Sequence, residues 1–244
     1  MNVVIVNGWA MPSSIWSEFC DLLKRIIACE SCRVIDLDRS LNSNEWVQYL
    51  DNFIKPDTLL IGWSLGGMLA IEYAHQHPEK TLGLCTLQMN PKFVTGTDWP
   101  SAMAPSVFQE FKQLVEHDTK SDAKNMTKRF GFLVTTKGLD ALGDLKKLKV
   151  HFSASSIPSE NVLRESLELL GNLDVRNKLS TTDIPQLHIY GEHDQLVPKA
   201  AAKQIKVLSD QAHVELVEGI SHLPCYSASK PLIKRIAEFA GDLN

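Results

Sequence analysis

The sequence has no apolar run that approaches membrane-spanning length and no surplus of positive charge. Its hydrophobic runs are strand-sized, far below the roughly 20 residues that a transmembrane helix needs, and its 25 basic and 29 acidic residues give a net charge of −4. Residues 1–8 lack the basic segment and the small-residue cleavage site of a secretory signal. We therefore expect a cytoplasmic protein without membrane or nucleic-acid partners.

Residue patterns that hold metal ions are scarce as well. The five cysteines are odd in number and scattered along the chain. Cys29 and Cys32 have the C-x-x-C spacing of a redox or zinc pair, but no second pair or histidine cluster completes a zinc site, and no thioredoxin-like pattern surrounds them. Reduced cytosolic thiols are the favoured interpretation, with a redox pair as the alternative, and no metal or other cofactor is expected.

Short β-branched runs alternate with amphipathic helical patterns along most of the chain. Such alternation is typical of a mostly parallel, doubly wound α/β sheet, and 244 residues fit one such domain. The strand signals stop between residues 91 and 178, where the pattern is helical and polar. The sequence therefore predicts an α/β core of residues 1–90 and 179–244 with a helical insertion at 91–178. The predicted strands are residues 3–6, 33–37, 59–62, 82–89, 186–190 and 214–217.

Ser64 lies where the third predicted strand turns into a predicted helix, in the spacing G-x-S-x-G with Gly62 and Gly66. A sharp strand-to-helix turn strains the backbone of the residue at its apex, and the neighbours two positions away must then be small. The serine hydroxyl is held clear of the sheet, above a helix N-terminus whose free N–H groups can face a developing negative charge. This context favours Ser64 as a nucleophile; the alternative is a tight turn at the start of the helix with Ser64 as its N-cap.

A serine nucleophile needs a base to take its proton and an acid to orient that base. Such groups lie at the carboxyl ends of strands in open α/β sheets. Asp194 follows the predicted strand 186–190, and His222 follows 214–217, which gives the chain order serine, aspartate, histidine. Asp38, after the second strand, is an alternative acid. His193 is interpreted as a loop residue, because the carboxylate of the adjacent Asp194 cannot reach around to orient its imidazole.

This chain order is that of the α/β-hydrolase superfamily, which the sequence resembles. Within it, the sequence is similar to the esterase family that hydrolyses pimeloyl-acyl-carrier-protein methyl ester in biotin synthesis. The chain departs from the family pattern in starting at what would be the third strand, without the first two strands of the full fold. It also has Asn7 where many relatives have histidine. The matching stretches are Asn7-Gly8-Trp9, Gly62 to Gly67, Asp98-Trp99-Pro100, Arg129-Phe130, Asp174-Val175-Arg176 with Leu179, Tyr190-Gly191 and Asp194 to Pro198.

The resemblance implies a role for each matching residue. It makes Ser64 the nucleophile, His222 the general base and then acid, and Asp194 the group that orients the histidine. The backbone N–H groups of Trp9 and Leu65 would form the oxyanion hole. The insertion would be a helical lid, with an acyl pocket beneath it; for the tryptophans, simple packing is the alternative. The implied pocket residues are Trp9, Trp63, Phe111 and Phe130.

Positive charge is concentrated in residues 120–150, which contain eight basic and three acidic residues in an otherwise acidic chain. A basic face on an acidic protein can steer an acidic partner, although a solvated helix face is the alternative interpretation. In the family resembled, basic lid residues receive the acidic carrier protein. The positions implied here are Lys124, Arg129, Lys146 and Lys147.

Taken with the resemblance, the sequence predicts a monomeric serine carboxylesterase that cleaves the methyl ester of pimeloyl-acyl-carrier protein through an acyl-enzyme. A general short-chain carboxylesterase, in which the charge of the lid is incidental, is one alternative. A non-catalytic binding protein with the hydrolase fold is another, against which the complete serine, aspartate and histidine set argues.

Overall fold

The computed structural model describes residues 1–121, 123–152, 158–209 and 211–243, and their side chains except those of 114–128. A six-stranded sheet forms its centre, with strand order β2-β1-β3-β4-β5-β6. Every neighbouring pair is parallel, which confirms the predicted doubly wound sheet. The strands are β1 (Asn2–Val6), β2 (Ser31–Ile35), β3 (Thr58–Trp63), β4 (Thr81–Leu87), β5 (Gln186–Gly191) and β6 (Ala212–Val217).

Strand burial follows position in the sheet. All six residues of β3 and all six of β5 are buried, because helices cover both faces of the central strands. The edge strands β2 and β6 instead mix buried and exposed positions. The order of the strands reverses between β1 and β3, and in open α/β sheets the carboxyl edge at such a switch point is where ligands bind.

Helices of the core pack on both faces of the sheet. The helix α3 begins directly after Ser64, and ten consecutive residues from Leu65 to Ala74 are buried in it. The N-cap of α2 is Asn42: its side chain accepts the Glu45 N–H (3.1 Å), and the Glu45 carboxylate accepts the Asn42 N–H (2.8 Å). The core helices are α1 (Ser17–Ile27), α2 (Ser43–Asp51), α3 (Leu65–Gln76), α9 (Ala200–Leu208) and α10 (Ser229–Asp242).

Among the described residues, five helices lie between β4 and β5, in the part of the chain where strand signals are missing from the sequence. Within it α4 packs on α5 and α7, and α5 packs on α6. No strand of the sheet falls in the described ranges 91–121, 123–152 and 158–178. None of the helices in the described parts of the chain is both long and apolar enough to cross a membrane. The five are α4 (Pro105–Ser121), α5 (Ala123–Thr135), α6 (Ala141–His151), α7 (Glu160–Asn172) and α8 (Arg176–Thr181).

An arginine joins the two ends of this helical segment. The Arg176 guanidinium donates to the carboxylates of Asp98 (2.6 Å) and Asp174 (2.7 Å), and it lies over the Trp99 ring at 5.4 Å. A planar guanidinium suits both carboxylate and aromatic partners. The segments 98–100 and 174–176, far apart in sequence, therefore meet where the helical segment leaves and rejoins the sheet.

Candidate active site

Ser64 lies at the apex of the turn between β3 and α3, with φ 53° and ψ −122°. This left-handed φ is rare for a residue with a side chain and is typical of a strained functional turn. Ser64 is the N-cap residue of α3 by position, but its side chain makes no capping hydrogen bond to the helix. The Ser64 N–H instead donates to the Leu87 carbonyl (3.0 Å), which ties the turn to the end of β4.

The glycines beside Ser64 allow backbone segments to approach closely. A Cβ on Gly62 would lie 2.5 Å from the Gly67 Cα, and a Cβ on Gly66 would lie 2.2 Å from the carbonyl oxygens of Val6 and Asn7. No side chain fits at such distances, as the G-x-S-x-G spacing predicts. The loop after β1 therefore lies directly against the first turn of α3.

The same close approach brings together the two segments that contain the implied oxyanion donors. Leu65 is the first residue of α3, where backbone N–H groups have no partner inside the helix. Trp9 follows Asn7 and Gly8 in the loop that packs on that turn. Within the described residues, the backbone N–H groups of Trp9 and Leu65 donate no hydrogen bond.

Asn7 organises the loop after β1. Its Oδ1 accepts from the Gly8 N–H (2.9 Å) and from the Trp16 indole N–H (2.8 Å), and its Nδ2 donates to the Met11 carbonyl (2.6 Å) and to Asp36 (2.9 Å). Asn7 is fully buried, and its bonds to Gly8, Trp16 and Met11 are shielded from water, whereas the bond to Asp36 is partly exposed. Burial raises the pKa of Asp36, an effect that the hydrogen bond from Asn7 partly offsets. Asn7 thus ties together both ends of the loop after β1 through Gly8 and Met11.

Replacing Asn7 by alanine is expected to lower the free energy of unfolding by about 3 kcal/mol, because the buried Gly8 and Trp16 donors lose their acceptor. Ester hydrolysis is expected to fall as well, since the loop with the Trp9 N–H loses its support. Urea unfolding and steady-state kinetics measure the two effects. Asn2→Ala is the matched control, because Asn2 begins the strand that Asn7 follows and accepts one exposed hydrogen bond from Ser31 (2.7 Å). Equal losses in the two variants would contradict this role of Asn7.

Asp194 and His222 form a buried pair. The His222 Nδ1 lies 2.8 Å from the Asp194 Oδ2, and both side chains are 1% exposed. The other carboxylate oxygen accepts from the backbone N–H groups of Leu196 (2.8 Å) and Val197 (3.0 Å). The carboxylate is therefore fixed by its own loop and directed at the imidazole, which is the geometry that sets a histidine's tautomer.

Trp63 connects this pair to the turn of Ser64. Its indole N–H donates to the His222 carbonyl (2.9 Å), and its ring centroid lies 5.6 Å from that of His222. The loops after β5 and β6 also pack backbone to backbone, since a Cβ on Gly191 would lie 2.4 Å from the Ile220 carbonyl oxygen. The three loops that contain Ser64, Asp194 and His222 therefore meet at the carboxyl edge of the sheet.

The two alternative residues lie elsewhere. Asp38 is exposed, pairs with Arg39 at 3.5 Å, and follows β2 at the opposite edge of the sheet from β6. His193 is exposed, and its Nδ1 lies 2.9 Å from the Lys137 carbonyl oxygen. His222 has Asp194 as its partner and not Asp38.

Aromatic side chains from the insertion cover Trp9. The Trp9 ring lies edge-on to Phe111 (centroids 5.6 Å apart) and to Phe130 (4.9 Å), and its indole N–H donates to the Leu163 carbonyl on α7 (3.0 Å). Three helices of the insertion (α4, α5 and α7) thus contact Trp9 in the loop after β1. The structure brings together Trp9, Phe111 and Phe130, and it places Trp63 against His222.

The implied basic positions fall on two packed helices. Arg129 is exposed on α5, and Lys146 and Lys147 are exposed on α6. The Lys147 ammonium lies over the Tyr226 ring at 5.4 Å. Lys124 lies outside the residues whose side chains are described. Helix α6 also exposes Leu142 (81%) and Val150 (80%), apolar residues that the sequence-based interpretation did not include.

A contact that sequence reasoning missed attaches α6 to the loop of His222. The Asp144 carboxylate is buried and accepts hydrogen bonds from the hydroxyl and the backbone N–H of Ser227, the latter at 3.2 Å. Burial raises the pKa of Asp144, and the Ser227 bonds oppose that shift. The Leu223 N–H also donates to the Val134 carbonyl at the end of α5 (2.9 Å). No local signal identifies such a pair, because its members are 83 positions apart.

Two buried polar side chains border the site without a hydrogen-bond partner among the described residues. Gln88 follows β4, next to the carbonyl that accepts the Ser64 N–H, and has φ 45° with both amide atoms unpaired. The Tyr190 hydroxyl, at the end of β5, is also unpaired. Burial, with a further contribution from the Asp194 charge, raises the pKa of Tyr190 far above its usual range, so its hydroxyl stays protonated.

The contacts of the cysteines differ from those that the C-x-x-C spacing suggests. Cys32 contacts Cys20 on α1 with a sulfur–sulfur distance of 3.0 Å, and all five cysteines are free thiols. No group of three or more histidine, cysteine, aspartate or glutamate side chains in the described ranges is arranged to hold a metal ion. The residue beside Cys32 is therefore Cys20 rather than the Cys29 that the spacing suggested.

Comparison with known proteins gives consistent family and fold matches. A family model described as alpha/beta hydrolase fold matches residues 20–228. A pimeloyl-[acyl-carrier protein] methyl ester esterase from Photorhabdus laumondii is 30% identical over 98% of this chain and 89% of its own length. A bifunctional biotin biosynthesis protein from Cellvibrio japonicus is 30% identical over 97% of this chain, which spans about half (47%) of that protein.

Solved structures agree on the fold. A bromoperoxidase from Bacillus anthracis superposes with a TM-score of 0.82, over 99% of this chain and 92% of that one. The two sequences are 17% identical, so the match describes the architecture alone.

Proposed function

The chain belongs to the alpha/beta hydrolase fold family, and on this premise we propose that it is a serine carboxylesterase acting on the methyl ester of pimeloyl-acyl-carrier protein. The observation that carries the proposal is the buried Asp194–His222 pair, joined to the nucleophile turn by the Trp63 hydrogen bond. A binding protein has no need for a shielded carboxylate–imidazole pair beside a strained serine.

In the proposed reaction the Ser64 hydroxyl attacks the ester carbonyl carbon while His222 takes the hydroxyl proton. Asp194 holds the imidazole in the required tautomer and stabilises the imidazolium that forms. The backbone N–H groups of Trp9 and Leu65 stabilise the oxyanion. Collapse of the tetrahedral intermediate transfers the proton to departing methanol. Water, deprotonated by His222, then attacks the acyl-enzyme and releases the carboxylate product with Ser64 restored.

The substrate assignment rests on the relatives and on the surroundings of Trp9. A pimeloyl chain presents a run of methylene groups, and the contacts of Trp9 with Phe111 and Phe130 provide apolar aromatic surface for such a run. The relative from Photorhabdus laumondii has this substrate in its name. We further propose that residues 91–178 act as the lid over this surface, held to the loop of His222 through Asp144 and Ser227.

The experiment compares three esters with the full-length enzyme. They are pimeloyl-acyl-carrier-protein methyl ester, the same acyl methyl ester on pantetheine, and a short p-nitrophenyl ester, with methanol or nitrophenol release as the readout. The proposal requires turnover of the carrier ester with a lower KM than that of the pantetheine ester. Turnover of the p-nitrophenyl ester alone would leave a general short-chain carboxylesterase, and no turnover of any ester would contradict esterase function.

Charge reversal at Lys146 and Lys147 tests the proposed contact with the carrier protein. The double variant Lys146→Glu/Lys147→Glu is expected to raise the KM for the carrier ester about tenfold, because an acidic partner then meets like charge. The kcat/KM for the pantetheine ester is expected to stay unchanged. Raising the salt concentration is expected to reduce the difference between wild type and variant.

The matched control is Lys203→Glu/Lys206→Glu, which reverses two exposed lysines on α9, a helix outside the insertion. This control is expected to leave both KM values at the wild-type level. An equal effect of the two double variants, or an equal loss on both esters, would contradict docking at α6. Thermal unfolding of each variant checks that the contact of Lys147 with Tyr226 is not required for stability.

A further inference from the structure

Two cysteines of the core lie in direct contact away from the candidate active site. The sulfurs of Cys20, on α1, and Cys32, on β2, are 3.0 Å apart. Cys20 is buried and Cys32 is partly exposed. A disulfide bond is about 2.05 Å long, so covalent closure requires these sulfurs to approach by about 1 Å. The α1 helix packs directly on β2, so the contact belongs to an established interface of the fold.

The surroundings of the pair favour one thiolate shared between two sulfurs. The hydrogen bond from the Cys32 thiol lowers the pKa of Cys20, whereas the same bond and burial raise the pKa of Cys32. A thiolate next to a thiol is the reactive arrangement of a redox dithiol. Cys29, on the loop between the two elements, is partly exposed. Cys85 and Cys225 are fully buried.

We propose that Cys20 and Cys32 are a redox-sensitive dithiol that closes into a disulfide with a small disulfide oxidant such as oxidised glutathione. Cys32, the more accessible member, passes its thiol proton to the Cys20 thiolate as it attacks one sulfur of oxidised glutathione, forms a mixed disulfide and releases one glutathione thiolate. Cys20 then attacks the Cys32 sulfur and releases the second glutathione. One disulfide bond breaks and one forms, the two thiols are oxidised, and their two protons end on two molecules of glutathione.

Closure ties the edge strand to its covering helix. β2 pairs with β1 on one side only, so its other edge has no strand partner within the described residues. The bond closes a short loop of the chain and thereby restricts the unfolded state more than the folded state. The oxidised protein is expected to unfold at a Tm about 5–10 °C higher than the reduced protein. Ester hydrolysis is expected to stay unchanged, because neither cysteine touches the candidate site.

The test uses the full-length protein incubated with oxidised or reduced glutathione, denatured, and alkylated with N-ethylmaleimide. Intact mass is expected to show three alkylated cysteines after oxidation, against all five in the reduced protein. Peptide mapping is expected to find a Cys20–Cys32 cross-link. Cys29→Ser is expected to keep the cross-link and the rise in Tm, whereas Cys20→Ser is expected to lose both and to keep a glutathione adduct on Cys32.

Three results would overturn the proposal. The first is five alkylated cysteines after oxidation. The second is a cross-link between Cys29 and Cys32, which would restore the interpretation drawn from the C-x-x-C spacing. The third is a glutathione adduct on Cys29 alone, which would make the Cys20–Cys32 contact an inert packing contact.

Discussion

Ser64→Ala is expected to lower kcat for ester hydrolysis by a factor on the order of 10⁶, because the variant has no nucleophile for the acyl-enzyme route. The folded structure is expected to persist, since the Ser64 side chain makes no capping bond and its N–H bond to Leu87 is retained. Alanine keeps the Cβ, so the strained φ of 53° gains no new clash. Substrate binding is also expected to persist, which equilibrium titration with the uncleaved ester measures.

Ser180→Ala is the matched control, because Ser180 is exposed on α8 and its hydroxyl donates to the Asn177 carbonyl of its own helix (2.9 Å). It is expected to retain wild-type kinetics. Residual activity in Ser64→Ala above about 1% of wild type, with contaminating esterases excluded by a mock purification, would contradict the assignment. Loss of the folded state in Ser64→Ala would be detected by circular dichroism.

Asp194→Asn is expected to lower kcat by a factor on the order of 10⁴. The asparagine oxygen can still accept from Leu196 and Val197, so the loop keeps its shape. Its amide group then faces the His222 Nδ1 and donates to it. The imidazole proton moves to Nε2, where it prevents His222 from accepting the proton of Ser64. The fall in kcat is therefore caused by the changed tautomer of His222 and the missing carboxylate charge, and not by unfolding.

Asp38→Asn provides the comparison, because Asp38 is the other acid that the sequence offered. Steady-state kinetics of the two variants, together with their Tm values, separate the alternatives. Asp194→Asn is expected to be nearly inactive with a Tm close to that of the wild type, and Asp38→Asn is expected to be fully active. The reverse order of activities would reassign the acid to the loop after β2.

Much of the fold could be predicted because its determinants are local. The β-branched runs and the glycine spacing around Ser64 specify strands and a tight turn through nearest neighbours. The parallel order followed from helices that alternate with buried strands, and the structure confirms it. Residue type alone does not locate the N-cap of α2, since Asn42 and Ser43 are both good caps, and the capping box with Glu45 selects Asn42.

The parts of the site that could not be predicted depend on contacts between distant positions. The bond of Trp63 to His222 spans 159 positions, and that of Trp9 to Leu163 spans 154. Hydrophobic periodicity says which face of an element is buried but not which side chain it meets. The order of serine, aspartate and histidine therefore gave the candidate residues, whereas their support by Asn7, and the attachment of α6 by Asp144, required the three-dimensional structure.

Covalent labelling tests the central claim most directly, namely that Ser64 is a nucleophile activated by the His222–Asp194 pair. The enzyme is treated with a fluorophosphonate, digested and mapped by mass spectrometry, in parallel with Asp194→Asn. One adduct per chain on Ser64, formed much more slowly in Asp194→Asn, is the expected result. An unlabelled Ser64, an adduct on another serine, or equal labelling rates in the two proteins would contradict the claim.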